Sequence, residues 1–128
     1  MARPSSRHPT ELELEILKIL WRQGPLPVRQ VREALAPSRD PAYTSVMTIM
    51  NIMVEKGYLA RRKEGPSFVY RPRISEKKTT GGMLRDMVNR VFDGSAVAVV
   101  VNLLETADVN EGELKELRGV LDRMSTGD

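Results

Sequence analysis

A chain of 128 residues that is 41% apolar and 29% charged can fold as one ordinary domain or two small ones around a packed core. It has no Cys, which excludes a disulfide framework and Cys-based metal sites, and a single His, His8, which leaves His-dependent catalysis almost nothing to work with; its longest apolar run, residues 96–101, falls far short of the ~20 residues that cross a bilayer. The net charge of +3 hides an asymmetry, 13 Lys and Arg against 7 Asp and Glu up to residue 74 and 7 against 10 beyond it, so the N-terminal half is the one suited to polyphosphate.

The expected protein is therefore a cytoplasmic one that is not an enzyme, has no catalytic or metal site, needs no cofactor and does not contact a membrane. Residues 1–9, MARPSSRHP, lack periodicity and read as a disordered basic arm. Thr10 and Glu13 then make a capping box that opens a first helix with Leu12, Ile16 and Leu20 on one stripe, ended by Gly24 and Pro25. A second helix over residues 27–36 places Val28, Val31 and Leu35 on a buried face, and Pro37 stops it. Asp40 is placed to cap a third helix, roughly residues 42–56, with Pro41 in its first position. In that helix Val46, Met50, Met53 and Val54 follow a core spacing, while Tyr43, Thr44, Thr48, Asn51 and Glu55 fall on the other side. Met47, Met50 and Met53 do not share one stripe and read as core filling, not as a thioether metal site.

Two β-rich runs, residues 58–62 and 68–71, flank a tip at Gly65 and Pro66 and predict a hairpin. Three short helices followed by a basic two-stranded ribbon is the order of a winged helix-turn-helix. Arg61, Arg62 and Lys63 on the ribbon are candidates to straddle a phosphate backbone, and Thr44, Thr48 and Asn51 are residue types that reach base edges or phosphates from a helix.

Beyond Pro72 an amphipathic helix is expected over residues 79–92, with Met83, Leu84, Met87, Val88, Val91 and Phe92 on its stripe. Residues 96–104 are apolar nearly all round, which suits a helix buried on every side; the valines also suit a strand. Asn110 and Glu113 cap a last helix with Leu114, Leu117, Leu121 and Met124 on one face. A segment this short cannot cover so apolar a helix by itself, so a second copy is expected to pack on it. The expected fold is mainly α: a winged helix over residues 10–73 and a three-helix dimerisation domain over residues 74–128. The expected pairing residues are Met83, Met87, Val91, Val97, Val100, Val101, Leu104, Leu114, Leu117 and Leu121.

The segments ELEILKILW, VRQVREAL and AYTSVMTIMNIMVEKGYL, with the FVYRP exit from the hairpin, resemble the penicillinase and methicillin-resistance repressors, the BlaI/MecI/CopY family. The resemblance runs over residues 11–124 and is most specific over residues 42–59. It implies a homodimeric repressor whose third helix enters the major groove of an inverted-repeat operator, with Tyr43, Thr44, Ser45, Thr48 and Asn51 as contact positions; Lys56 joins the wing cations in the expected DNA-binding set. It also implies an inducing protease as partner, cutting at a bond that corresponds to Asn102-Leu103. Three features depart from the family pattern: Ile52 stands where Arg is frequent and Glu55 where Lys is, Leu103 replaces an aromatic, and the tail lacks the cysteines of the copper-sensing branch. A ligand-gated winged-helix regulator and a winged-helix protein-interaction adaptor are the alternatives that the residues leave open.

Overall fold

The computed structural model describes residues 8–126, so residues 1–7 of the expected basic arm lie outside the described residues. The described elements run α1 (Glu11–Gln23), α2 (Val28–Leu35), α3 (Tyr43–Glu55), β1 (Leu59–Glu64), β2 (Ser67–Pro72), α4 (Glu76–Val91), α5 (Ala96–Thr106) and α6 (Glu111–Thr126). They form two compact units that part between Leu84 and Arg85. None of the described helices is by itself long and apolar enough to cross a membrane.

Local chemistry sets the first unit. The Thr10 hydroxyl accepts from Glu13 N and the Glu13 carboxylate accepts from Thr10 N, so two otherwise orphaned donors are satisfied at the start of α1. Gly24 ends the helix at φ 87, a conformation that a side chain would resist. α3 starts differently from expectation. Its N-cap is Ala42, with no side-chain cap, because Asp40 lies too far upstream and pairs with Arg32, whose Nε also donates to Pro41 O at 2.9 Å.

β1 and β2 pair antiparallel from Leu59↔Pro72 to Glu64↔Ser67, leaving Gly65 and Pro66 as a two-residue loop. Gly65, at φ 61 in the first central position, supplies what a tight hairpin of this hand requires. A single bridge from Leu26 to Tyr70 adds the α1–α2 connection to the free edge of β2. The core is then one cluster: Ile16, Leu17 and Leu20 of α1, Val28, Val31 and Leu35 of α2, Val46, Met50 and Met53 of α3, closed by Leu26, Leu59 and Tyr70. Each such side chain contributes about 1.5–3 kcal/mol by leaving water. This is a winged helix.

The first compact unit extends through Leu84 and so includes Ile74. Ile74 packs against the core and its carbonyl accepts from Trp21 Nε1 at 3.0 Å. α4 also starts earlier than expected, at Glu76, because the Ser75 hydroxyl accepts from Lys78 N.

In the second unit α5 is a helix, N-capped by Ser95 through Ala98 N, which removes the strand alternative for the valine run. Asn110 and Glu113 exchange side-chain hydrogen bonds with each other's backbone N–H groups at the start of α6, as the sequence predicts. Neither α5 nor α6 has a buried residue, and nor has α4.

Candidate nucleic-acid interface

α3 divides cleanly into two faces. Val46, Met50 and Met53 are buried, whereas Tyr43, Thr44, Ser45 and Thr48 are exposed, with Met47 beside them. The Thr48 hydroxyl donates to Thr44 O at 2.9 Å, which holds its oxygen in place as an outward acceptor. Of the five contact positions that the resemblance implies, these four are exposed, as is Glu55 further along the helix.

Asn51 sits further along the same helix, half-buried, and points toward the wing. Its Oδ1 accepts from Tyr70 Oη at 2.8 Å and from Arg61 Nη1 at 2.6 Å. The Arg61 guanidinium also lies over the Phe68 ring, 4.4 Å from the centroid, in cation–π geometry. Arg61 and Tyr70 are cross-strand partners, and Phe68 is the diagonal neighbour of Arg61, so the hairpin register itself brings these three together.

The pleat separates the basic residues expected to act as a group. Consecutive strand residues point to opposite faces. Arg61 reaches α3, while Arg62 pairs with Glu64 two residues on along the same strand. Lys63, opposite Phe68, is exposed.

Lys56, of the expected DNA-binding set, is engaged within the fold. Its ammonium donates to Glu13 Oε2 at 2.8 Å and lies over the Tyr58 ring, with the lysine side chain 16% and the glutamate side chain 5% exposed. It closes the fold at the junction of α3 and α1, because the buried Glu13 carboxylate needs a cation. Elsewhere Arg39 bridges Glu15 and Glu11, and that pairing with Glu15 above all holds its pKa above the ordinary arginine value.

In a single chain most of the expected pairing residues are uncovered. Met87, Val91, Val97, Val100, Val101, Leu104, Leu117 and Leu121 are exposed, Val97 to 72%, while Met83 and Leu114 are half-buried. Asn102 and Leu103 lie in the middle of α5 and are both exposed.

Sequence reasoning missed Tyr70 and Phe68 as the residues that meet Asn51 and Arg61. The alternation of FVYRP against ARRK carried the signal, since a two-residue loop at Gly65 and Pro66 fixes which side chains face each other.

The penicillinase repressor family model matches residues 9–123. The chain belongs to that family. Members similar to it include the penicillinase repressor of Bacillus licheniformis, 27% identical over 113 residues that cover 88% of either chain. The transcriptional regulator BlaI of Mycobacterium tuberculosis (strain ATCC 25618 / H37Rv) is 31% identical over 119 residues, covering 91% of this chain and 85% of that one. Among solved structures, the DNA binding domain of the repressor BlaI aligns with a TM-score of 0.50 at 27% identity, over 58% of this chain and 90% of the other.

Proposed function

We propose that this chain is a transcriptional repressor that binds an inverted-repeat operator as a homodimer. The observation that carries the reading is the exposed polar face at the start of α3, Tyr43, Thr44, Ser45 and Thr48, with the wing cations Arg61 and Lys63 in the same unit. In this reading α3 lies in the major groove and reads base edges, and the wing neutralises phosphate. Bound DNA then denies polymerase the promoter. The relatives named as repressors support the direction of the effect.

The homodimer is supported by α4, α5 and α6, whose apolar faces one chain leaves in water. A second copy of those helices supplies the missing cover. Induction follows from the same arrangement: a protease that cuts Asn102-Leu103 divides α5 in its middle and removes the pairing surface. The protein works in the cytoplasm, on DNA, with an inducing protease as its second macromolecular partner.

Footprinting on DNA upstream of its own gene, at stated salt, tests the reading. Protection of a palindrome, with affinity for it far above that for random DNA of equal length, is expected. Equal retention on random DNA overturns it.

A further inference from the structure

Asn51 lies on the helix that reads DNA, yet its hydrogen bonds run inward. An amide oxygen has two lone pairs, and here both are taken, one by Tyr70 Oη and one by Arg61 Nη1. The atom facing Arg61 is necessarily the oxygen, because a guanidinium only donates. An asparagine that reads adenine offers its oxygen to one base atom and its nitrogen to another at once. Asn51 has no oxygen to offer.

The two donors differ in freedom. Tyr70 is 2% exposed, and its backbone exchanges two hydrogen bonds with Leu26, so its hydroxyl is a fixed point in the core. Arg61 is exposed on a two-stranded ribbon, and without partners its long side chain would sample many rotamers. The Asn51 oxygen on one side and the Phe68 ring on the other remove that freedom.

We infer that Asn51 is a positioning residue: Tyr70 fixes Asn51, and Asn51 holds Arg61 of the wing at α3, so that a phosphate-binding cation keeps a constant register with the base-reading residues. The inference rests on the DNA-binding reading above. It assigns base reading to Thr44, Ser45 and Thr48 and gives Asn51 an effect that passes through Arg61. Such preorganisation strengthens binding by lowering the ordering cost at the moment of contact.

The test uses the full chain, one duplex selected by the wild-type protein from a randomised pool, and one scrambled duplex of equal length. Affinity is measured for both over a range of salt. Asn51→Ala is expected to weaken both duplexes by the same factor, about two- to tenfold, the range of one lost hydrogen bond, without changing the preferred bases. Arg61→Ala lowers the salt slope by about 0.9, and adding Asn51→Ala to it has no further effect. Tyr70→Phe keeps the buried ring, removes only the hydroxyl, and weakens both duplexes in the same sense.

A change of preferred base in Asn51→Ala overturns the inference. So does a loss that adds in full to that of Arg61→Ala, and so does a Tyr70→Phe protein that binds as wild type does. If the wild-type protein does not prefer its selected duplex, the operator reading fails by itself, and the coupling of Asn51 to Arg61 is still read on the scrambled duplex.

Discussion

The Lys56 ammonium lies 2.8 Å from Glu13 Oε2 and joins the end of α3 to the start of α1. Glu13 serves twice, since its other oxygen accepts from the Thr10 backbone N–H in the capping box. Lys56→Ala leaves that carboxylate buried without its cation and is expected to cost about 1.5–3 kcal/mol. Urea unfolding measures this. The salt slope of DNA binding should stay at the wild-type value; a slope lower by about one with unchanged stability would return Lys56 to the phosphate contacts.

The same corner gives a pH dependence. Burial first, and the Glu13 charge second, raise the Tyr58 phenol above its ordinary 10.0, with the Lys56 charge opposing. The folded state thus holds the phenolic proton more tightly than the unfolded chain does. That contribution to stability is fully present below the unfolded value and is lost as pH rises through the higher folded value. Between about pH 9 and pH 11, Tyr58→Phe should lose less stability than wild type in chemical unfolding. Parallel pH profiles would remove Tyr58 from the account.

On the exposed polar face of α3, Thr44 lies in the first turn, where helix-turn-helix proteins make base contacts. Thr44→Ala should alter which operator variants are preferred, by roughly 1–3 kcal/mol for a lost base contact, and leave the salt slope unchanged. A panel of single-base operator variants shows it. A uniform loss across the panel would take Thr44 off the bases.

The sequence made this face legible because local rules governed it. The capping boxes at Thr10 and Asn110, the Gly24 stop and the Gly65-Pro66 tip each depend on residues within a few positions of one another. The apolar spacing of Val46, Met50 and Met53 then turned Thr44 and Thr48 outward. What it did not show were the destinations of long polar side chains. Lys56 meets a residue 43 positions away and Asn51 meets Tyr70 19 positions away, contacts that only the assembled tertiary structure creates. The α3 cap fell elsewhere, since the helix begins at Tyr43 with Ala42 as its N-cap, two residues beyond Asp40.

The strand pleat separates the effects of neighbouring arginines. Arg61 is held at α3, whereas Arg62 spends its charge on Glu64 in an exposed pair worth little to stability. Arg61→Ala should therefore reduce the salt slope by about 0.9 and Arg62→Ala by clearly less, on specific and scrambled duplexes alike. Equal slopes for the two variants would mean that the ribbon turns both faces to phosphate.

The last expectation concerns pairing, where one chain leaves α5 without cover. Val100 is exposed in a single chain, so Val100→Asp should barely disturb the fold of that chain. At a subunit interface the same aspartate becomes a buried charge with no partner, and the dimer should come apart. Binding to a full operator should then fall by about 100-fold or more, because joining two half-site readers is what makes the second contact intramolecular. Binding to a single half-site should be unchanged. Removal of everything after Leu84, where the two compact units part, should give the same monomeric behaviour while keeping Ile74 against the core. A cut at Asn102-Leu103 should resemble both. Light scattering at operator-binding concentrations decides the matter: an intact protein that is already monomeric, or a Val100→Asp variant that stays dimeric, places the pairing surface elsewhere and takes the cleavage route down with it.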